Sequence, residues 1–175
     1  MHQPTPQLHH PTTHSKTTPK PRPLAPTHDP LPTCTKLANL LMQRSISFVH
    51  SLNARDIPTP WKLHATPDYI HHYTTPSGDT VDMTAAETMQ FFADKFSEFP
   101  GYRFEIVDTT VQLEEAERPA YGTVWQTCRV VDGGEWGEKE RVAIYSWRRE
   151  TDRLGVESWR WWRQECPSTA AVLPF

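Results

Sequence analysis

No stretch of this sequence approaches the ~18 consecutive apolar residues that a bilayer-spanning helix needs. The N-terminus also lacks the apolar central region of a secretory signal. Cysteine is scarce: Cys34, Cys128 and Cys166 are odd in number and far apart, so no disulfide framework is indicated and a reducing interior is the expected compartment. No cysteine or serine sits in a nucleophile motif, and Cys128, inside a strand pattern, reads as a small core residue. Internal repeats and heptads are missing too. These absences predict a cytoplasmic protein that makes no membrane contact.

Positive charge is in short supply as well. Residues 1 to 33 carry Lys16, Lys20 and Arg22 against Asp29, a net of +2, and since the whole chain stands at −3 the remainder stands at −5. An acidic domain offers no footprint to a phosphate backbone, which argues against nucleic-acid binding. Arg148, Arg149, Arg153, Arg160 and Arg163 cluster near the end but alternate with acids and tryptophans, the pattern of a solvated or interfacial strand face.

What is present divides unevenly along the chain. The first 33 residues hold nine of the 17 prolines and five of the nine histidines, with little apolar content beyond Leu8, Leu24, Ala25 and Leu31. Such a segment cannot offset the entropy of ordering its backbone. The expected organisation is therefore a disordered tail over 1–33, one domain over 34–166, and a short C-terminal tail over 167–175. His9, His10 and His14 fall in the tail, while His64, His71 and His72 lack a carboxylate or cysteine at ligand spacing, so neither a metal nor a cofactor is expected.

Helical periodicity runs from about Thr35 to Arg55 through Leu37, Leu40, Leu41, Phe48 and Leu52, and must end before Pro58 and Pro60. Thr66-Pro67 reads as the cap and first turn of a short helix through Tyr69 to His72. Thr84-Ala85-Ala86-Glu87 is a capping box opening a helix whose stripe is Met89, Phe92, Phe96 and Phe99, stopped by Pro100-Gly101. Four β-type segments follow: Arg103 to Leu113, Tyr121 to Val131, Glu140 to Arg149 and Leu154 to Arg163. Strict alternation places Phe104, Ile106 and Thr110 on one face of the first, with Val107, Thr109, Val111 and Leu113 on the other. Helices first and an antiparallel meander last is an α+β order. Because Trp159 and Trp161 point to one face of the last strand and Trp162 to the other, both faces should be covered, one by helices and one by a second copy of the chain.

The string Ser51 to Asp56, the Trp61-Lys62-Leu63 segment, the Phe-rich helix closing on Phe99-Pro100-Gly101-Tyr102-Arg103-Phe104-Glu105, and the strand Val142 to Arg149 together resemble the NTF2-like superfamily, in particular its SnoaL-like branch, over about residues 36 to 163. The resemblance implies a cone: a bent antiparallel sheet wrapped around about three N-terminal helices, a pocket at the open end, and dimerisation through the outer sheet face. It implies binding of a small hydrophobic molecule, polyketide- or terpenoid-like, and in catalytic members cofactor-independent isomerisation, cyclisation or dehydration. The same superfamily contains non-catalytic binding and interaction modules, so fold does not settle function.

Catalytic members use a pocket carboxylate or histidine whose pKa burial has shifted, beside a hydrogen-bond donor. By position, the candidate acids and bases are Asp56 after the first helix, His64 near the cavity mouth, and Glu157 on the last strand beside Trp159. Each has a structural alternative: a cap for Asp56, a loop histidine for His64, an ion-pair partner on an outer face for Glu157. Candidate substrate contacts are Trp61, Tyr69, Trp125, Tyr145 and Trp159, with Tyr69 or Tyr145 as donor. Adjacent histidines in a regular element point different ways, so at most one of His71 and His72 faces inward.

Overall fold

A computed structural model of the chain describes residues 33–75, 77–132 and 139–167. But for Thr33 and Pro167, the expected tails lie outside the described residues. Helix α1, Thr33–Asn53, buries Leu41, Ser45, Phe48, Val49 and Leu52, the spacing that gathers one helical face. It ends in a Schellman motif: Arg55 N–H bonds Leu52 O and Asp56 N–H bonds Ser51 O, both at 2.9 Å. Arg55 occupies the left-handed position at φ 64°, where glycine is usual. Its guanidinium offsets that strain by donating to Pro100 O at 2.7 Å and lying 3.8 Å from the Phe96 ring centre.

Pro58 and Pro60 do not prolong α1; they open α2, Pro58–His64, where a missing N–H costs nothing. The chain then turns extended at Ala65, and the short helix expected after Thr66 is instead strand β1, Ala65–Thr74. Pro67 is tolerated because β1 pairs with its neighbours only at Ala65 and from Ile70 onward, so the missing donor falls where the ladder lapses. Strand β2, Thr80–Thr84, hands over to α3, Ala85–Glu98, through the expected capping box, with Thr84 Oγ1 accepting from Glu87 N–H and Glu87 Oε2 accepting from Thr84 N–H.

Strands β3, Arg103–Leu113, β4, Tyr121–Val131, β5, Lys139–Thr151, and β6, Glu157–Cys166, complete one six-stranded sheet in the order β2-β1-β6-β5-β4-β3. The first two strands are thus additions to the expected four. All pairings are antiparallel except β1 with β6. That parallel pair joins the first and last strands of the central sheet, with α3 and the meander serving as the long crossover it requires.

Bulges bend the sheet and redistribute its faces. Between Ile106 and Asp108 the register slips by one, so Phe104 and Ile106 share the inner face with Thr109, Val111 and Leu113, where unbroken alternation would have separated them. A second bulge at Trp162 keeps both Trp161 and Gln164 buried. Strand β6 also begins later than expected: Asp152 accepts from the backbone of Leu154 and Val156, and with Gly155 at φ 80° forms a turn that holds Leu154 outside the strand. The helices pack against the inner face, and their shared core runs from Leu41 through Phe48, Trp61 and Phe92 to Trp147 and Trp161.

At Gly122 the sheet closely approaches Leu41 of α1. A Cβ there would meet Leu41 Cδ1 at 2.6 Å and Leu113 Cδ2 at 3.1 Å, and Leu41 is fully buried with no room to retreat. Gly122→Ala is therefore expected to destabilise the fold by about 1–3 kcal/mol through overpacking, although alanine suits a strand better than glycine. Urea denaturation checks this; equal or higher stability would mean that α1 can shift.

Candidate functional site

The sheet and helices leave one end of the core unfilled. The cavity there has a volume of ≈ 70 Å³, on a measure by which a single water needs roughly 10–15 Å³, so it admits a compact organic molecule. Its floor and walls are apolar: Phe48, Val49 and Leu52 from α1, Phe91 and Phe92 from α3, Phe104 from β3, Val130 from β4 and Ala143 from β5. Tyr73, Phe91, Lys95 and Arg141 also line it and keep partial exposure, which marks the mouth.

Alternation along β1 turns Tyr69, His71 and Tyr73 inward and His72 outward. His72 bonds Asp82, its register partner on β2. His71 is 1% exposed, lines the cavity, and neither ring nitrogen has a hydrogen-bond partner. Burial pushes its pKa down to about 3, with a smaller push from His72, so the ring is neutral at physiological pH. A buried, unpartnered imidazole facing a cavity is poised for a guest, since leaving such groups unpaired is costly.

Two other polar groups of the lining, Tyr145 and Gln164, are held in hydrogen bonds. Tyr145 OH donates to Gln126 Oε1 at 3.1 Å, and Gln126 Nε2 reaches Thr109 Oγ1 at 3.3 Å. Tyr69 OH donates to Gln164 Oε1 at 3.0 Å, and Gln164 Nε2 points at Cys166 Sγ, 3.5 Å away. Burial raises the thiol of Cys128 to about 12 and that of Cys166 to about 11, and lifts the Tyr73 phenol to about 12. These groups therefore enter the site protonated. Among the described residues no cluster of three histidine, cysteine or acidic side chains could hold a metal.

Of the residues expected at the site, Tyr145 alone lines the cavity. Tyr69 and Trp61 are buried one layer behind it, Tyr69 through its bond to Gln164 and Trp61 packed 4.9 Å from Phe48. Trp125 faces the outer side of the sheet, paired with Ile144. Trp159 belongs to the opposite end of the core, where its carbonyl accepts from Arg44. Asp56 is exposed because its position is fixed by its backbone, as the last residue of the α1 cap. Glu157 is exposed too and pairs with Arg118, since β6 starts only there; the inward polar residue of that strand is Gln164. His64 is half-buried against Trp147, outside the cavity lining, and its pKa is lowered by burial and then by Arg44 and Arg160. His71 and Gln164 line the cavity but are not among the residues expected at the site. The period-two run Tyr69-His71-Tyr73 carried the first signal, masked by the helix-like Thr66-Pro67.

No protein-family model matches the chain, and no curated protein matches it. Solved structures do. An NTF2-like protein of unknown function from Pseudomonas putida superposes with a TM-score of 0.58 at 14% identity, over 81% of this chain and 95% of that one. Aln2 from a Streptomyces species gives 0.55 at 12%, over 75% and 90% of the two chains. A candidate dehydratase from the NTF2-like family of Streptomyces avermitilis gives 0.53 at 15%, over 80% and 99%. The chain has the NTF2-like fold: an α+β cone in which a curved sheet encloses helices from the N-terminal half.

The neutral state of His71 contributes to the acid response of the protein. Unfolding returns the ring to the ordinary value of 6.5 from about 3, so between those limits the unfolded chain binds more protons and stability falls as pH falls. His64, also lowered, acts in the same direction. The His71 contribution has a slope of at most about 1.4 kcal/mol per pH unit. Urea midpoints at about pH 7 and pH 4.5 are expected to diverge less in His71→Gln than in the wild type; identical divergence would show that the imidazole is not held neutral.

Proposed function

We propose that the chain is a SnoaL-like protein that binds a compact hydrophobic carbonyl compound in the cone cavity, and that His71 handles the proton in a cofactor-independent isomerisation, cyclisation or dehydration. The observation that carries this reading is the buried His71 imidazole, without a hydrogen-bond partner, in a largely apolar chamber. A neutral imidazole donates its N–H to a ligand carbonyl without first losing a charge, and so polarises it. As negative charge grows on that oxygen, the nearby opposite charge favours the imidazolium, and the ring becomes able to take up a proton that it refuses in the empty site. Tyr145 and Gln126, bonded to one another, shape the wall against which the ligand lies. The size of the chamber favours ligands on the order of one or two rings.

A second reading, a non-catalytic binding module, draws support from the lining itself, which includes no carboxylate. Both readings require His71 to meet the ligand. Wild-type protein is expected to bind an aromatic bicyclic ketone such as 1-tetralone more tightly than the parent hydrocarbon by roughly threefold to tenfold, the worth of one neutral hydrogen bond. His71→Leu should erase that preference while retaining hydrocarbon binding. Calorimetric titration decides it: equal affinities in the wild type, or a preference that survives in His71→Leu, would remove His71 from the site.

We further propose that the chain dimerises through the outer sheet face. Trp125, Val142, Ile144 and Trp162 lie there half-buried, and the Trp162 indole N–H is buried without a partner. Trp162→Arg is expected to yield monomers in sedimentation velocity; dimers that persist in this variant would place the contact elsewhere.

A further inference from the structure

A second polar cluster occupies the end of the core away from the cavity. Arg44 on α1 donates from Nη1 to Trp159 O at 2.8 Å, and its guanidinium lies 6.0 Å from the Trp147 ring centre. Arg160 on β6 donates from Nη1 to Leu63 O at 2.7 Å. His64, the last residue of α2, packs its ring 5.9 Å from that of Trp147. The two arginine bonds interlock these groups, because Trp159 adjoins Arg160 and Leu63 adjoins His64. Arg44 and His64 thereby meet at one tryptophan, Trp147, and Arg160 is tied to the backbone beside His64.

Arg118, Arg129, Arg148 and Arg163 each have a carboxylate within ion-pair distance, whereas among the described residues Arg44 and Arg160 have none. The fully buried Trp147 indole N–H also lacks a partner. Half-burying a guanidinium group costs free energy that a protein ordinarily relieves with a counter-charge. The strain registers on the groups themselves: burial and then Arg160 lower the Arg44 pKa, while burial, Arg44 and Arg160 lower that of His64. Each guanidinium spends one N–H on a carbonyl and keeps the rest of its fork for planar oxygens.

We propose that Arg44, Arg160 and His64 form a binding site for a small oxyanion, a phosphate or carboxylate group, separate from the cone cavity. The anion replaces the missing counter-charge, accepts from both guanidinium forks, and takes a further bond from the His64 ring. The site does not depend on what the cavity binds.

The test is titration of the full-length protein with inorganic phosphate, and separately with acetate, at an ionic strength held constant with chloride. The histidine ring signals are followed by NMR, with His50, His71 and His72 as internal controls. The His64 signal is expected to shift saturably at millimolar anion while the controls stay put. Arg44→Gln and Arg160→Gln should each weaken the apparent affinity at least about tenfold, as loss of a charge-assisted contact requires, and Arg160→Lys should weaken it less. Saturation by phosphate alone identifies a phosphate group as the guest, and saturation by acetate a carboxylate. A His64 shift that is linear in anion, or equalled by the controls, overturns the proposal. So does a saturable shift that both glutamine variants retain. The wild-type titration decides the matter even where a variant fails to fold.

Discussion

Trp161 receives rings from four elements, and the placement of the rest follows from that convergence. Phe48 of α1 lies 4.8 Å from its ring centre, Trp61 of α2 5.6 Å, Tyr69 of β1 4.7 Å, and Tyr145 and Trp147 of β5 5.6 and 6.4 Å. The indole N–H is satisfied by Arg163 O at 2.9 Å, across the Trp162 bulge. Each such ring carries a large buried area, and edge-to-face pairs add to it. The parallel β1–β6 pairing begins at Ala65 opposite Trp161 itself. A first strand pairing with a last strand has little local help in finding its register, and a ring that must be enclosed on all sides supplies the discrimination that sequence separation takes away.

The same hub explains why the core has two unlike ends. Along β5, Tyr145 faces the cavity and Trp147 faces the arginine cluster, with Trp161 touching both. Space remains beyond Tyr145, between Phe48 of α1 and the phenylalanines of α3. An empty apolar space of this kind costs stability. The fold keeps it while fixing nearby polar atoms in the Tyr145–Gln126 and Tyr69–Gln164 pairs and leaving both ring nitrogens of His71 without a hydrogen bond.

The signals for α1 and α3 are local and were legible. Thr84 and Glu87 form their capping box from four consecutive residues, and β3 and β4 kept their expected limits because breakers flank them. The site was harder to read, since its residues depend on register. One extra residue at Val107 moves Thr109, Val111 and Leu113 onto the inner face. A turn built by the Asp152 side chain delays β6, which exchanges Glu157 for Gln164 as the inward polar group. Likewise Thr66-Pro67 has the chemistry of a helix start, and only the lapse in β1–β6 pairing shows why proline is accepted in a strand. Side-chain period survives in the sequence; a bulge that resets its phase does not.

Burial is the first cause that lowers the pKa of both His64 and His71, and the influences added to it differ. His71 is held neutral chiefly by desolvation, with no carboxylate in the cavity lining, so the influence able to reverse its state is charge that appears on a guest in the cavity. His64 keeps contact with solvent and is opposed by two permanent cations as well as by burial. An anion between those cations would cancel their repulsion, and the same imidazole would then gain a reason to be protonated. The Trp161 hub stands between them, an apolar partition with no titratable side chain that is ionised at neutral pH. Each histidine can therefore answer to its own end of the core, which is the arrangement expected if the cone closes around one small molecule while a separate ion holds α1, α2 and β6 together at the base.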